Sequence, residues 1–190
     1  MIVVLAAIAV ALLAGLFVLL TYNRLVRLRL AAESSFSQID VALRLRHDLV
    51  PRLVEAVRGY AGHERITLEN TTQARAGAIS AGASGPAQRA VAEGALSAGL
   101  SNLLVNVEAY PELRATENFL ALQKELSSVE ERISITRRVY NDTVETYNTA
   151  IQVFPSNLVA GGFGFSAREF FDAPVAAETA PVVSMETPAR

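Results

Sequence analysis

From Ile2 to Leu20 the chain carries no charge, and Gly15 is the one residue of its first twenty that is not apolar. As a helix rising ~1.5 Å per residue the run spans ~28 Å, close to the ~30 Å hydrocarbon core of a bilayer. A core helix of a soluble domain would keep a polar face, and this run has none. A secretory signal would carry a basic start, a shorter apolar centre and a small-residue cleavage site. Here no Lys or Arg precedes the run, and Arg24, Arg27 and Arg29 stand where a cleavage site would fall. The run is therefore expected to be an uncleaved single-pass anchor over residues 1–21. Basic residues stay on the cytoplasmic side, so the N-terminus is expected outside the cell (inner) membrane and the body in the cytoplasm. The same three arginines suit anionic lipid headgroups, at ~1 kcal/mol each.

The overall apolar share of 51% owes much to this run, and the remainder has an ordinary globular composition. The absence of cysteine excludes a disulfide scaffold, a thiol nucleophile and a thiolate metal site. A net charge of −2 argues against a nucleic-acid binder, and two histidines leave little material for metal chemistry. No metal, cofactor or catalytic group is expected.

Beyond the anchor the apolar residues recur at helical steps. Leu25, Leu28, Ala32, Phe36, Ile39, Leu43, Val50, Val54 and Val57 form one stripe, broken only at Arg46 and His47. Nothing interrupts the chain between Leu20 and Tyr22, so the anchor is expected to continue into this helix. Pro51 removes a backbone donor and crowds the His47 carbonyl, which predicts a kink or a restart, and Gly59 and Gly62 mark the end. A second helix over 63–80 has thin apolar anchors in Ile66, Ala74 and Ile79. A loop over 80–86 follows, then a third helix striped by Leu96, Leu100, Leu103, Val107 and Tyr110.

The fourth helix is the plainest. Phe119, Leu122, Leu126, Val129, Ile133, Thr136, Tyr140, Val144, Tyr147 and Ile151 step by three or four, with neither Gly nor Pro from Thr116 to Val153. Such a stripe needs partner helices. The predicted fold is all-α, a transmembrane helix continuous with an antiparallel bundle of about four long helices over 22–154. Alternating helix direction then returns the chain to the bilayer after Phe154. There Phe163, Phe165, Phe170 and Phe171 are expected either at the membrane interface or as a plug of the bundle end, within a segment over 155–172. Residues 173–190 have no period and are expected to be a disordered tail.

The polar residues within the stripes are the candidate sites. Asp40, Arg44 and Asp48 are spaced for helical ion pairs worth ~0.2–0.5 kcal/mol each. Arg46 and His47 lie on the apolar face beside Pro51, where a buried pair would fix helix register or a ligand would bind. Tyr140–Asn141 and Tyr147–Asn148 are seven residues apart and so share a face. They are expected to fix register as polar layers, with Asp40 or Tyr22–Asn23 across from them, or to line a groove for a peptide or helix. His63–Glu64 lacks the second histidine of a metalloprotease helix, since Thr67 stands four residues on. That pair suits a helix start.

Tyr22–Asn23, the run from Ile39 to Val54, Gly59–Tyr60–Ala61–Gly62–His63–Glu64, Tyr110–Pro111–Glu112–Leu113, Asn118–Phe119, Leu122–Gln123, Arg137, the two Tyr–Asn pairs and Phe154–Pro155 together resemble the LemA family of bacterial membrane proteins. Leu45 and Arg52 depart from the family's pattern. The resemblance implies a single-pass protein with an N-terminal anchor and a long-helix bundle, some relatives being magnetosome proteins and others resembling partners of a membrane zinc metalloprotease. The expected role is a non-enzymatic scaffold or adaptor that binds lipid and other proteins. Self-assembly into a homo-oligomer is the alternative, through the second helix or the small-residue face Ala90, Gly94, Ser97 and Ser101. An enzyme would instead bring Arg46, His47, Asp48 and His63 together around a cavity.

Overall fold

The computed structural model describes residues 1–60 and 65–172, and among these no strand occurs. The helices are α1 (Ile2–Arg58), α2 (Arg65–Ser80), α3 (Pro86–Val107), α4 (Pro111–Arg114), α5 (Glu117–Gln152) and α6 (Ser156–Gly162). The chain is all-α, with a long apolar N-terminal helix followed by helices that pack together. The predicted tail over 173–190 and the His63–Glu64 pair lie outside the described residues.

The apolar N-terminal run and the stretch that packs into the bundle are one helix. At ~1.5 Å per residue, α1 is ~85 Å long. Residues 2–20 of this helix are all exposed, and burial begins at Thr21 and Leu25. The helix does not restart at Pro51, which lies inside it.

α1 pairs with α5, while α2 and α3 form a hairpin closed by a short 3-10 turn (Ala81–Ala83) with Pro86 opening α3. The hairpin helices approach closely where Gly99 faces Thr71, and the Thr71 hydroxyl lies 3.3 Å from the Gly99 carbonyl. α5 starts on Thr116, whose hydroxyl accepts the Phe119 amide at 3.4 Å. At its other end the Ser156 hydroxyl donates to the Ala150 carbonyl at 2.6 Å and the Val153 carbonyl at 3.0 Å, satisfying groups that a helix terminus leaves open.

The main core joins Ile39, Leu43, Val50, Leu53 and Val57 of α1 to Leu96, Leu100 and Leu103 of α3 and to the α5 stripe. A smaller cluster at the anchor end packs Leu25 against Ala150, Val159 and Ala160. The second helix corrects the sequence reading. Ile66 and Ile79 are 75% and 47% exposed, and Leu68, Thr71 and Ala78 are buried instead.

Candidate functional site

Two polar assemblies lie inside the body. The first gathers where α1, α3 and α5 meet. The α1 stripe breaks at Arg46 and His47, and α3 answers with Arg89 and Glu93, spaced to continue the face of Leu96 and Leu100. Arg46 is 1% exposed and pairs with Glu93. Its Nη1 donates to Ser97 Oγ at 2.7 Å and to Glu130 Oε1 at 3.0 Å. His47 Nε2 lies 3.0 Å from the other Glu93 oxygen. Burial pushes the Glu93 carboxyl up, but the His47 hydrogen bond and the Arg46 charge outweigh it and hold the group below its ordinary value. Arg46, Glu93, Ser97 and Glu130 border a crevice of about 250 Å³ that Phe171 also lines.

Pro51 contributes through what it lacks. Without its amide hydrogen, the His47 carbonyl one turn earlier loses its helical donor. Arg75 of α2 supplies the replacement, its Nε donating to that carbonyl at 2.7 Å. The proline thus creates an acceptor on α1 that docks α2.

Of the expected Asp40–Arg44–Asp48 ladder the structure shows the Asp40–Arg44 pair, at 3.9 Å. Asp40 pairs with the buried Arg89 of α3, whose guanidinium lies 5.7 Å from the Phe36 ring centre. Arg44 is exposed, and Asp48 is exposed and outside the cluster. Arg46 and His47 therefore converge without Asp48. Nor is the small-residue face left free for another copy along its length, since Ala90 is buried and Ser97 is bonded to Arg46. Among the described residues no group of three or more His, Asp or Glu is placed to hold a metal ion.

The second assembly is the pair of Tyr–Asn steps on α5. Their partners are neither Asp40 nor Tyr22–Asn23 but the chain's own extended segment after α6. Tyr147 donates to the Ser166 carbonyl at 3.0 Å and Tyr140 to the Glu169 carbonyl at 2.8 Å. Asn148 accepts the Arg168 amide and donates to its carbonyl, both at 2.9 Å. Asn141 accepts the Phe171 amide at 2.9 Å and donates to Asp172 at 3.1 Å. Seven helical residues advance ~10.5 Å and three extended residues ~10 Å, so each Tyr–Asn step meets the strap three residues further on. The strap runs antiparallel to α5, away from the anchor. Burial is the main cause that raises the Tyr140 pKa, with Arg168 opposing and Glu169 adding to it. The two Tyr–Asn pairs share a face, and that face holds the chain's own strap.

The Phe residues divide along this strap. The Tyr22 ring lies 5.0 Å from Phe163 and 5.6 Å from Phe165, and the Arg29 guanidinium 5.5 Å from Phe165. Arg24 and Arg27 are exposed beside them. Gly164, at φ +72°, makes the turn from α6 into the strap, a backbone region that suits glycine. Phe171 is not at the membrane interface. It is 2% exposed and packs on Phe36 at 6.3 Å, ~21 Å along α1 from Tyr22. Its exposed neighbour Phe170 sits at the same height, so that pair belongs to the body.

Sequence reasoning missed Glu93, Arg89, Arg75 and Glu130. One signal was available: the α3 stripe runs on through Arg89 and Glu93 without changing face.

The LemA family model matches residues 35–185. The chain is similar to magnetosome protein MamQ 2 of Paramagnetospirillum magneticum, 26% identical over 87% of this chain and 70% of the relative. Magnetosome protein MamQ of Magnetospirillum gryphiswaldense is similar at the same identity and coverage. Protein LemA of Metamycoplasma hominis is 27% identical over 73% of this chain and 63% of its own length.

Proposed function

Because the chain belongs to the LemA family, we propose that it is a non-enzymatic, membrane-anchored scaffold or adaptor that binds other proteins or organises the membrane. The carrying observation is the unbroken α1, which joins an apolar anchor to the core of the bundle in one helix. A body built on such a helix holds its faces at a set height, reaching ~54 Å beyond Tyr22. The internal polar bonding supports the same reading. Arg46, His47 and Glu93 bond to one another, and the Tyr–Asn face is bonded to the chain's own strap. The MamQ relatives are named for a structure rather than a reaction, which favours an organising role over catalysis.

Arg24, Arg27 and Arg29 favour a body on the cytoplasmic side of the inner membrane. Recognition would use helix faces, with a partner helix or segment laid against the bundle. Family resemblance offers a membrane zinc metalloprotease as one protein partner, and a second copy of the chain as a homo-oligomer is the other reading. Exposed Ile66, Ile79, Val91 and Val105 on the α2–α3 hairpin favour the latter. Crosslinking in native membranes, followed by identification of captured proteins, tests the proposal. Repeated capture of one membrane protein through the body, or of the chain itself, is the expected result. A body that captures nothing across all its helix faces would contradict it.

A further inference from the structure

We propose that α6 and its flanks are a second membrane element, a wedge that enters the leaflet on the arginine side of the anchor and takes lipid acyl chains as its partner. Three observations meet at this tip. First, residues 146–167 carry no charge, the longest such stretch outside the anchor. Second, the tip shows apolar side chains to its surroundings: Phe154 is 79% exposed, Leu158 67% and Phe163 58%. Third, it lies against the anchor itself. Pro155, Leu158, Val159 and Phe163 face Ala14, Phe17 and Val18 across a crevice of about 310 Å³.

The position fixes the occupant. Phe17 and Val18 are inside the apolar run, about one turn below Tyr22 and so ~6 Å deeper. Helices that lie in a membrane interface sit ~5–10 Å into the acyl boundary. The charged groups begin above this level, with Arg24, Arg27 and Arg29 on α1 and Arg168 on the strap. The bare surface of the anchor and the bare surface of α6 are therefore continuous, and what covers the first covers the second. The crevice between them is open to an acyl chain. Inserted on one side only, the tip adds area to a single leaflet and keeps the bundle from tilting freely about its anchor.

This inference rests on Ile2–Leu20 spanning a bilayer, and the test separates the two claims. The chain contains no tryptophan. Full-length Leu12→Trp, Phe154→Trp and Leu158→Trp variants would each be reconstituted into phosphatidylcholine–phosphatidylglycerol vesicles. Emission would be read with bromine placed near the top or the middle of the acyl chains, and with aqueous acrylamide. All three positions are exposed on the protein, so the replacements leave its packed interior intact. Trp at 154 and 158 should emit to the blue, lose most of their intensity to shallow bromine and resist acrylamide. Trp at 12 should respond to bromine in the middle of the chains. Loss of the Leu12→Trp response would sink the span. A normal Leu12→Trp response with acrylamide quenching at 154 and 158 would put the wedge in water and overturn the proposal. Protection from both quenchers at 154 and 158 would also overturn it, because a second copy or the chain's own tail would then cover the tip.

Discussion

Replacing Arg46 with Met would leave Glu93 buried with His47 as its one remaining partner. Breaking a buried ion pair from one side costs ~3–5 kcal/mol, against ~0–1 kcal/mol for an exposed pair such as Arg52–Glu125. Arg46→Met should therefore lower the thermal midpoint of the full chain in detergent far more than Arg52→Ala; equal shifts would show that the cluster carries no special weight. Glu93 adds a pH dependence. Its carboxyl is held low in the folded chain, so its ionised form stabilises the fold above the unfolded value, and that contribution is lost as pH falls through the folded one. Stability should decline below the ordinary value of 4.5, and Glu93→Gln should flatten that decline. Arg75 and Pro51 are coupled differently. Arg75→Ala leaves the His47 carbonyl without its donor, at ~1–3 kcal/mol. In a Pro51→Ala background the restored amide can take that carbonyl, so Arg75→Ala should cost less there, and a double-mutant cycle reads the difference. Little of this was legible in advance. Arg46, His47 and Pro51 stood out because they interrupt a stripe, but their partners lie on other helices, tens of residues away along the chain.

At the scale of elements, the α5 stripe was fully legible, because an uninterrupted helix with one apolar face leaves its burial no alternative. All its expected positions are buried except Ile151, which is half-buried beside buried Ala150. α2 was not legible for a physical reason. Leu68, Thr71 and Ala78 share a face at ~100° per residue; Ile66 lies on the opposite side, while Ile79 falls at the edge of that face, about 20° from Leu68. Beside Leu68 the buried face is made of the small residues Thr71 and Ala78, because the hairpin helices come close together at Gly99, so large apolar side chains alone do not mark it. The Tyr–Asn spacing was legible as a shared face but not as a holder for the strap, since an extended segment without apolar alternation has no signature of its own. The bonds themselves predict a behaviour. Asn148→Ala and Asn141→Ala should speed hydrogen exchange at the Arg168 and Phe171 amides respectively, with α5 itself unchanged. Uniform loss of protection along α5 would instead make the asparagines part of the helix core.

The whole molecule has a direction. α1 leads away from the anchor, α5 returns to it, and the strap leads away again, so the arginine-bearing end of the anchor, α6 and the Tyr22–Phe163–Phe165 group all lie at one level. Protease added outside intact cells should leave the body whole if the arginines hold it in the cytoplasm, and rapid cleavage in the loop over 80–86 would reverse that orientation. The continuity of anchor and body can be read directly. The chain has no cysteine of its own, so single cysteines along α1 can each carry a spin label whose contact with dissolved oxygen and with an aqueous nickel chelate is measured in vesicles. One unbroken helix predicts high oxygen contact throughout residues 2–20, then a helical period of about 3.6 residues that persists to Arg58. Loss of that period near Tyr22, or chelate contact throughout the apolar run, would contradict a body built directly on its membrane anchor.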